Sequence, residues 1–308
     1  MTDKTNNSFP KVSIIVLNWN GLADTMECLE SLKKNDYKNY EVILVDNNSS
    51  GDDVKVLKER FENYIAKIIS NNDNLGFSGG NNVGIKYAML CSADVVLLLN
   101  NDTIVEPDFL SRLVHEANAN PNASIITPMI NYYTNKKIIW FAGGFISKIR
   151  SSGFPFGIGK QEKYYLKNRY CTFASGCCMY IKREVLEKIG LLDENYFLYL
   201  EDSDYSYRAY KAGFKILYAP SSRIYHKVSA TTSKTHSFLA LYYGTRNRLY
   251  FAKKNLNWYY NYSIFLYLLL TLTLKVLFFS KRYEAMGIIK KAFIDIKANR
   301  MGKSNIFL

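Results

Sequence analysis

Cysteine is present in this chain without any sign of pairing. Cys28, Cys91, Cys171, Cys177 and Cys178 are an odd number, with no CxxC spacing and no histidine beside them. That argues against a disulfide framework and against a zinc site, and it fits a reducing compartment. Proline is scarce at six residues, and seventeen glycines fall short of low complexity. No internal repeat is visible. The opening stretch MTDKTNNSFPK has no apolar run, so no secretory signal is expected. Acidic residues become rare toward the end. From Arg246 to Lys303 there are twelve lysines and arginines against two acids, Glu284 and Asp295. Most of the net charge of +13 therefore sits in the last fifth of the chain.

What remains is ample for a core. The 308 residues are 48% hydrophobic, enough for one large α/β domain with an appendage or for two small domains. The first 130 residues alternate strand-like and helix-like segments. VSIIVL (12–17), YEVILVD (40–46), AKIIS (66–70) and DVVLLL (94–99) read as strands. Helices are expected at 22–34, at 53–62, from about Gly80 to Leu90, and from near Pro107. This alternation predicts a parallel sheet covered by helices on both faces. Residues 130–175 are rich in aromatics and glycine and read as a loop-rich insertion over the sheet edge. A helix from Glu201 to Ala212, a strand at 215–218 and three C-terminal helices centred near 246, 268 and 291 complete the expectation.

Ligands of parallel sheets bind beyond the carboxyl ends of the strands, and polar clusters fall at each of those ends. They are Asn18-Trp19-Asn20, Asp46-Asn47-Asn48-Ser49, NLGFSGGNNVG (74–84) and Asn100-Asn101-Asp102. Each alone reads equally well as a turn or a helix cap. Four at one edge make a site. The glycine stretch contains no GK[ST] and no GxGxxG, so it is neither a Walker A loop nor a dinucleotide fingerprint. Its glycines before a helix start could still let a backbone approach an anion. Asp46 could accept from a ribose hydroxyl or a base N–H, or simply close a turn. Asn100 and Asp102 could hold a divalent cation that also takes diphosphate oxygens. In FLYLEDSDYSYR, Asp204 and Arg208 form an i,i+4 pair, and Glu201 or Asp202 could serve as a general base. His226 could ligate a metal, contact a diphosphate or be structural. His115 and His236 carry no assigned role.

These stretches together carry a resemblance. VSIIVLNWNG, VILVDNNSSGD, NLGFSGGNNVGI, LLLNNDTIVEPDFL, WFAGG, SGCCMYIKREVLEKIGLLDENYFLYLEDSDYSYRAYKAGF and YYGTRNRLYF occur in order between residue 12 and about 251. The chain resembles family 2 glycosyltransferases of the GT-A fold, in the bacterial and archaeal rhamnosyltransferase-like group. The resemblance implies a mostly parallel central sheet flanked by helices, a nucleotide-sugar donor, a divalent cation (Mg²⁺ or Mn²⁺) and an inverting single displacement. Asp46 and the LNWN residues Asn18 and Asn20 would contact the nucleoside. Asn74, Gly76, Gly79, Gly80, Asn81 and Asn101 would line the donor pocket. The Asp-x-Asp element of the family falls on Asn100-Asn101-Asp102, so Asn replaces its first acid and Asp102 is left as the principal metal ligand. Asp202 would deprotonate the acceptor, with Glu201 orienting it. His226 matches a metal-binding position, and Trp140 and Gly176 would shape the sugar or acceptor pocket. dTDP-L-rhamnose is the implied donor.

The division expected is a catalytic domain over 1–236 and a helical, membrane-associating extension over 237–308. WYYNYSIFLYLLLTLTLKVLFF (258–279) approaches a membrane span in length, but Asn261 and Lys275 interrupt it and aromatics crowd one end. The next helix places Met286, Ile289, Phe293 and Ile296 on one face. That pattern, flanked by basic residues, favours a lipid surface over nucleic acid and a helix lying in the interface. A true span or a homodimer interface stays open. Attachment to the cytoplasmic leaflet would suit an acceptor glycan carried on a polyprenyl diphosphate. A nucleotidyltransferase on a related sheet is the competing enzyme reading, but NWNGLADT after the first strand lacks that class's basic glycine-rich loop. A catalytically silent sugar-binding module is the third reading.

Overall fold

The computed structural model describes residues 9–228, 234–278 and 281–305. Four strand–helix units open the chain. They are β1 (Val12–Asn18) with α1 (Leu22–Leu32), β2 (Tyr40–Asp46) with α2 (Asp53–Phe61), β3 (Ile65–Ser70) with α3 (Gly76–Leu90), and β4 (Val95–Asn100). A short β5 (Thr103–Val105) separates β4 from α4 (Phe109–Ala119). Strands β6 (Ala123–Tyr132), β7 (Ile139–Phe141), β8 (Gly144–Ser147), β9 (Ser152–Pro155), β10 (Arg169–Cys171) and β11 (Cys178–Lys182) follow. Then come α5 (Arg183–Ile189), α6 (Glu201–Lys211), β12 (Lys215–His226) and three terminal helices, α7 (Lys234–Asn255), α8 (Tyr260–Phe278) and α9 (Arg282–Lys297).

The main sheet runs β10-β12-β6-β11-β4-β1-β2-β3, with β5 paired to β12 and β7 to β6. Its β4-β1-β2-β3 half is parallel, as the alternation requires, and β11 enters antiparallel between β4 and β6. Strand alternation sends successive side chains to opposite faces. Ile14, Val16, Val42, Leu44, Leu97 and Leu99 meet α1, α2 and α4 on one side. Ile15, Ile43, Val45, Val96 and Leu98 meet α3, α5 and α6 on the other. Burial on both faces is why these strands read as unbroken apolar runs. Each fully buried aliphatic side chain contributes about 1.5–3 kcal/mol relative to exposure.

Several elements differ from the sequence expectation. Helix α3 begins at Gly76, a full turn before Gly80, so Gly79 and Gly80 lie inside the helix and not in a loop before it. A Cβ on Gly80 would stand 2.5 Å from Leu17 Cδ1, and one on Gly84 2.6 Å from Ile15 Cγ2. These two glycines, one helical turn apart, let α3 settle directly onto β1. The region over 130–175 is more ordered than expected, containing β7, the β8–β9 hairpin and β10. Strand β12 continues well past 218. Its register against β6 shifts between Ala219 and Arg223, where Pro220 interrupts the ladder, and then resumes to His226.

Helix α8 turns Ile264, Leu268 and Leu272 inward, where they join Leu241 and Ala252 of α7 and Ala285 of α9. Its opposite side, with Tyr262, Phe265, Leu266, Leu269, Leu270, Leu274 and Leu277, is exposed. The stripe expected on α9 is not free: Ile289 and Phe293 pack on that same cluster and Met286 is exposed. The larger exposed apolar surface of these helices therefore lies on α8, with Tyr283, Met286 and Ile294 exposed on α9. Among the described residues, no helix is long and apolar enough to cross a membrane. The side chains of His236 and Lys275 lie outside the described residues.

Candidate active site

Register brings the polar clusters into line. Asn18 pairs with Asp46, Asp46 with Ser70, and Leu17 with Asn100, so the carboxyl ends of β1 to β4 share one edge. There the chain turns through Asn101 and Asp102 into β5, whose Thr103 pairs with His226 at the end of β12. This places Asp102 Oδ1 3.1 Å from His226 Nε2. Trp140 of β7 stands edge-on against the imidazole, with ring centroids 4.4 Å apart. His226 Nδ1 is buried without a hydrogen-bond partner among the described residues.

The second acidic site arrives from α6. Gly176 N–H donates to Asp202 Oδ2 at 3.2 Å, and Ser203 N–H donates to Asp202 Oδ1 at 2.7 Å. A Cβ on Gly176 would lie 3.5 Å from Asp202 Cβ and 3.0 Å from the Phe77 ring, so a glycine there lets Asp202 approach. The next residue completes the bridge, because Asn100 N–H donates to the Cys177 carbonyl at 2.9 Å. The buried Cys177 thiol is held protonated first by burial, then by the negative charge of Asp102 and, more weakly, of Asp202. Both acidic sites therefore flank residues 176–177 on one side of the molecule. Burial, followed by the charge of Asp202, pushes the Glu201 carboxyl well above its usual range. Burial raises Asp202 as well, against the hydrogen bonds from Gly176 and Ser203.

A metal-assisted transfer edge and a buried base facing each other across one strand end are what the sequence resemblance implies. The profile of the family described as Glycosyl transferase family 2 matches residues 13–190. The chain belongs to this family. The glycosyltransferase is 28% identical over 241 residues to the low-salt glycan biosynthesis hexosyltransferase Agl10 of Haloferax volcanii, covering 77% of this chain and 74% of that one. It is 24% identical over 237 residues to an N-acetylglucosaminyl-diphospho-decaprenol L-rhamnosyltransferase of Mycobacterium tuberculosis, covering 71% and 76%. Among solved structures it is similar to the mannosyltransferase PcManGT of Pyrobaculum calidifontis in complex with GDP-Man and Mn²⁺. There the TM-score is 0.56 at 13% identity, over 96% of this chain and 88% of that one. The fold is GT-A.

Within the glycosyltransferase, the residues expected at the donor site divide. Asn18 is fully buried, and its Nδ2 lies 2.8 Å from Asp46 Oδ1 and 3.0 Å from both Ser49 Oγ and Asp53 Oδ2. Thr25 Oγ1 donates to Asn18 Oδ1 and accepts from Asn101 Nδ2. Asn18 and Asn101 thus brace the edge from behind, and Asp46 is anchored in the same network. Asn20 Oδ1 accepts from Ser50 N–H, clipping the first loop to the second and leaving Trp19 exposed between them. Asn74 Oδ1 accepts from Asn47 Nδ2 and from Gly76 N–H. Gly76 has φ +71°, and a Cβ there would strike the Phe197 carbonyl. Asn81 Nδ2 turns back onto the Phe77 carbonyl of its own helix. The first turn of this stretch also touches the loop before Glu201, since Phe77 N–H donates to Phe197 O.

The family match implies a divalent cation, and the residues fit one. Asp102 and His226 supply a carboxylate and an imidazole side by side, with Asn100 at the adjoining strand end. No group of three or more His, Cys, Asp or Glu that could hold a metal occurs among the described residues. Phosphate oxygens and water would complete the coordination.

The sequence reading missed Asn247. Tyr199 and Leu200 both have left-handed φ values, +68° and +73°, in the turn that delivers Glu201 and Asp202. Such conformations persist where the surroundings over-determine them. Asn247 of α7, fully buried, donates to the Leu198 and Tyr199 carbonyls at 2.9 Å each. The signal was present as the Arg-Asn of YYGTRNRLYF. Asp204, as expected, is structural: it binds Arg208 and also Lys254 and Asn255 of α7.

Replacing Asn247 with Ala removes both hydrogen bonds to the part-buried Leu198 and Tyr199 carbonyls, at about 0.5–1.5 kcal/mol each. The expected outcome is a kcat lowered roughly ten- to hundredfold with nucleotide affinity unchanged, read from steady-state kinetics beside calorimetry. A carboxyl with a raised folded-state pKa loses stability as pH rises through that value. Asp202→Asn should therefore retain or raise the thermal midpoint at neutral pH while turnover falls by about 10²–10⁴. In the unaltered enzyme the ascending limb of the pH–rate profile should lie above 3.8, the ordinary Asp value.

Proposed function

We propose that the glycosyltransferase moves L-rhamnose from dTDP-L-rhamnose to a glycan acceptor carried on a polyprenyl diphosphate, with inversion, during synthesis of a cell-surface polysaccharide. The observation that carries this reading is the placement of Asp202 and the Asp102–His226 pair on either side of residues 176–177. One carboxylate facing the acceptor, with no second catalytic acid required, suits a single displacement on an activated donor. The rhamnosyl specificity and the lipid carrier draw on the named activity of the mycobacterial relative.

In this reading the nucleoside sits over β1 and β2, between Asp46 and the exposed ring of Trp19. Asp102, His226 and Asn100 would hold the cation, which supplies positive charge to the diphosphate as it leaves. Asp202 accepts the acceptor hydroxyl proton as that oxygen attacks the anomeric carbon from the face opposite the leaving group. The new C–O bond forms as the bond to the nucleoside diphosphate breaks. Glu201 is buried next to it in the chain, and burial followed by the charge of Asp202 raises its carboxyl pKa. Trp140, packed on His226, walls the sugar side.

The lipid carrier requires the enzyme to work at a membrane, and the exposed face of α8 supports interfacial attachment to the cytoplasmic leaflet. Its apolar residues lie together beside a strongly basic chain segment. Trp258 and Tyr259 are exposed at its start, where amphipathic rings suit the headgroup level.

A panel of nucleotide sugars with Mg²⁺ or Mn²⁺ and lipid-linked acceptors, read as nucleoside diphosphate release, tests the donor. dTDP-L-rhamnose should give the highest kcat/KM, and Asp102→Ala should weaken metal-dependent donor binding at least tenfold. A different preferred sugar would refute the specificity. Flotation with anionic vesicles tests attachment: Leu266→Glu/Leu270→Glu should abolish co-flotation, and release of the unaltered protein by salt alone would exclude apolar anchoring.

A further inference from the structure

A cavity of about 550 Å³ opens between the β8–β9 hairpin and helices α7 and α8. Arg150, Lys160 and Arg248 supply its charge, and Phe154, Phe156, Tyr165 and Tyr267 its rings. None of the described residues lining it is acidic. Arg248 Nη1 donates to the Arg150 carbonyl at 2.6 Å and to Ser152 Oγ at 2.7 Å. Among the described residues no hydrogen bond uses its Nε or Nη2. Arg150 and Arg248 both lie over the Tyr267 ring, at 5.9 and 5.7 Å from its centroid. The two guanidinium groups carry like charge at one ring with no carboxylate lining the cavity, an arrangement that an added anion would stabilise. Burial lowers the pKa of Arg248, and the charge of Arg150 acts the same way.

The surroundings of the cavity are ordered. On one side Gly153 N–H donates to Ser203 Oγ at 2.9 Å, and Ser203 immediately follows the base Asp202. On the other, Tyr267 belongs to α8, whose neighbouring Leu266 and Leu270 are exposed. Catalytic base, cationic cavity and apolar helix face thus succeed one another. A lipid-linked acceptor has the same order: sugar, diphosphate, hydrocarbon. We propose that this cavity binds the diphosphate of a polyprenyl diphosphate-linked acceptor, gripped by Arg150, Lys160 and Arg248, with the prenyl chain leaving along α8. Guanidinium groups suit this role because their fixed donor fork matches phosphate oxygens. The cavity's volume is that of a small-molecule site. The proposal rests on the acceptor class argued above and names where its anionic head is held.

The test is calorimetric titration of the full chain with farnesyl diphosphate. A chelator is present, so that the metal-dependent donor cleft does not contribute. Arg150→Gln/Lys160→Gln should weaken farnesyl diphosphate binding at least about tenfold, as expected for loss of charge-assisted contacts. Binding of dTDP with Mn²⁺, measured separately, should stay within twofold. Equal farnesyl diphosphate affinity in both proteins would overturn the proposal, as would competition by inorganic diphosphate or farnesol as strong as by farnesyl diphosphate. If the double variant does not fold, Lys160→Glu alone, at an exposed position, should still weaken binding at least threefold, and no change there is equally fatal. A chain that transfers sugar to a lipid-linked acceptor yet ignores farnesyl diphosphate disproves the cavity assignment alone. One that binds it but transfers nothing disproves the functional reading.

Discussion

The hydrogen bond from Asn100 N–H to the Cys177 carbonyl, followed at once by Gly176 N–H on Asp202, is the contact on which the catalytic edge depends. Strand β11 enters antiparallel beside β4. The residues just before it therefore arrive at the carboxyl edge, where the parallel strands have already gathered Asn18, Asp46 and Asn100. An extra parallel strand would have delivered its amino end to the opposite edge. The antiparallel entry lets one dipeptide touch both Asn100 and Asp202. It also explains the residue types there: a glycine where the base must come close, and a small buried thiol between two carboxylates.

The terminal helices are part of this machinery, beyond any role at a membrane. Asn247 holds the left-handed turn before Glu201, and Lys254 and Asn255 reach Asp204 one turn into α6. Arg248 of the same helix lines the cationic cavity. One face of α7 thus organises the base while its neighbour α8 presents apolar surface outward. Helices α7 and α8 are packed against each other through their shared cluster of Leu241, Ala252, Ile264 and Leu268.

Much of the fold was legible because burial on both faces leaves strands such as VVLLL with no polar interruption. The convergence of Asp102, Asp202 and His226 could be anticipated from strand ends and family resemblance. The glycine stretch was misplaced for a local reason. Gly76, Gly79 and Gly80 look like loop residues by propensity, whereas the helix start at Gly76 and the close approach of Gly80 to Leu17 and of Gly76 to Phe197 depend on partners far along the chain. Strand β12 was cut short at Pro220, because a register shift that absorbs a proline cannot be seen without the neighbouring strand. The apolar stripe of α9 was visible, but its burial against α7 and α8 was not.

Sequence by itself determined the alternation of elements and the edge at which polar groups collect, because these follow from local periodicity and residue chemistry. Tertiary structure alone decided how the strand-end residues are wired together: buried Asn18 bonds to Asp46 and Thr25, and half-buried Asn101 to Thr25, which no linear pattern reveals. It also decided that Asn247 clamps the turn before Glu201 and that Arg150, Lys160 and Arg248 line one cavity. Those facts depend on hydrogen bonds and packing between segments some fifty to a hundred positions apart, and such contacts exist only once the chain has closed on itself.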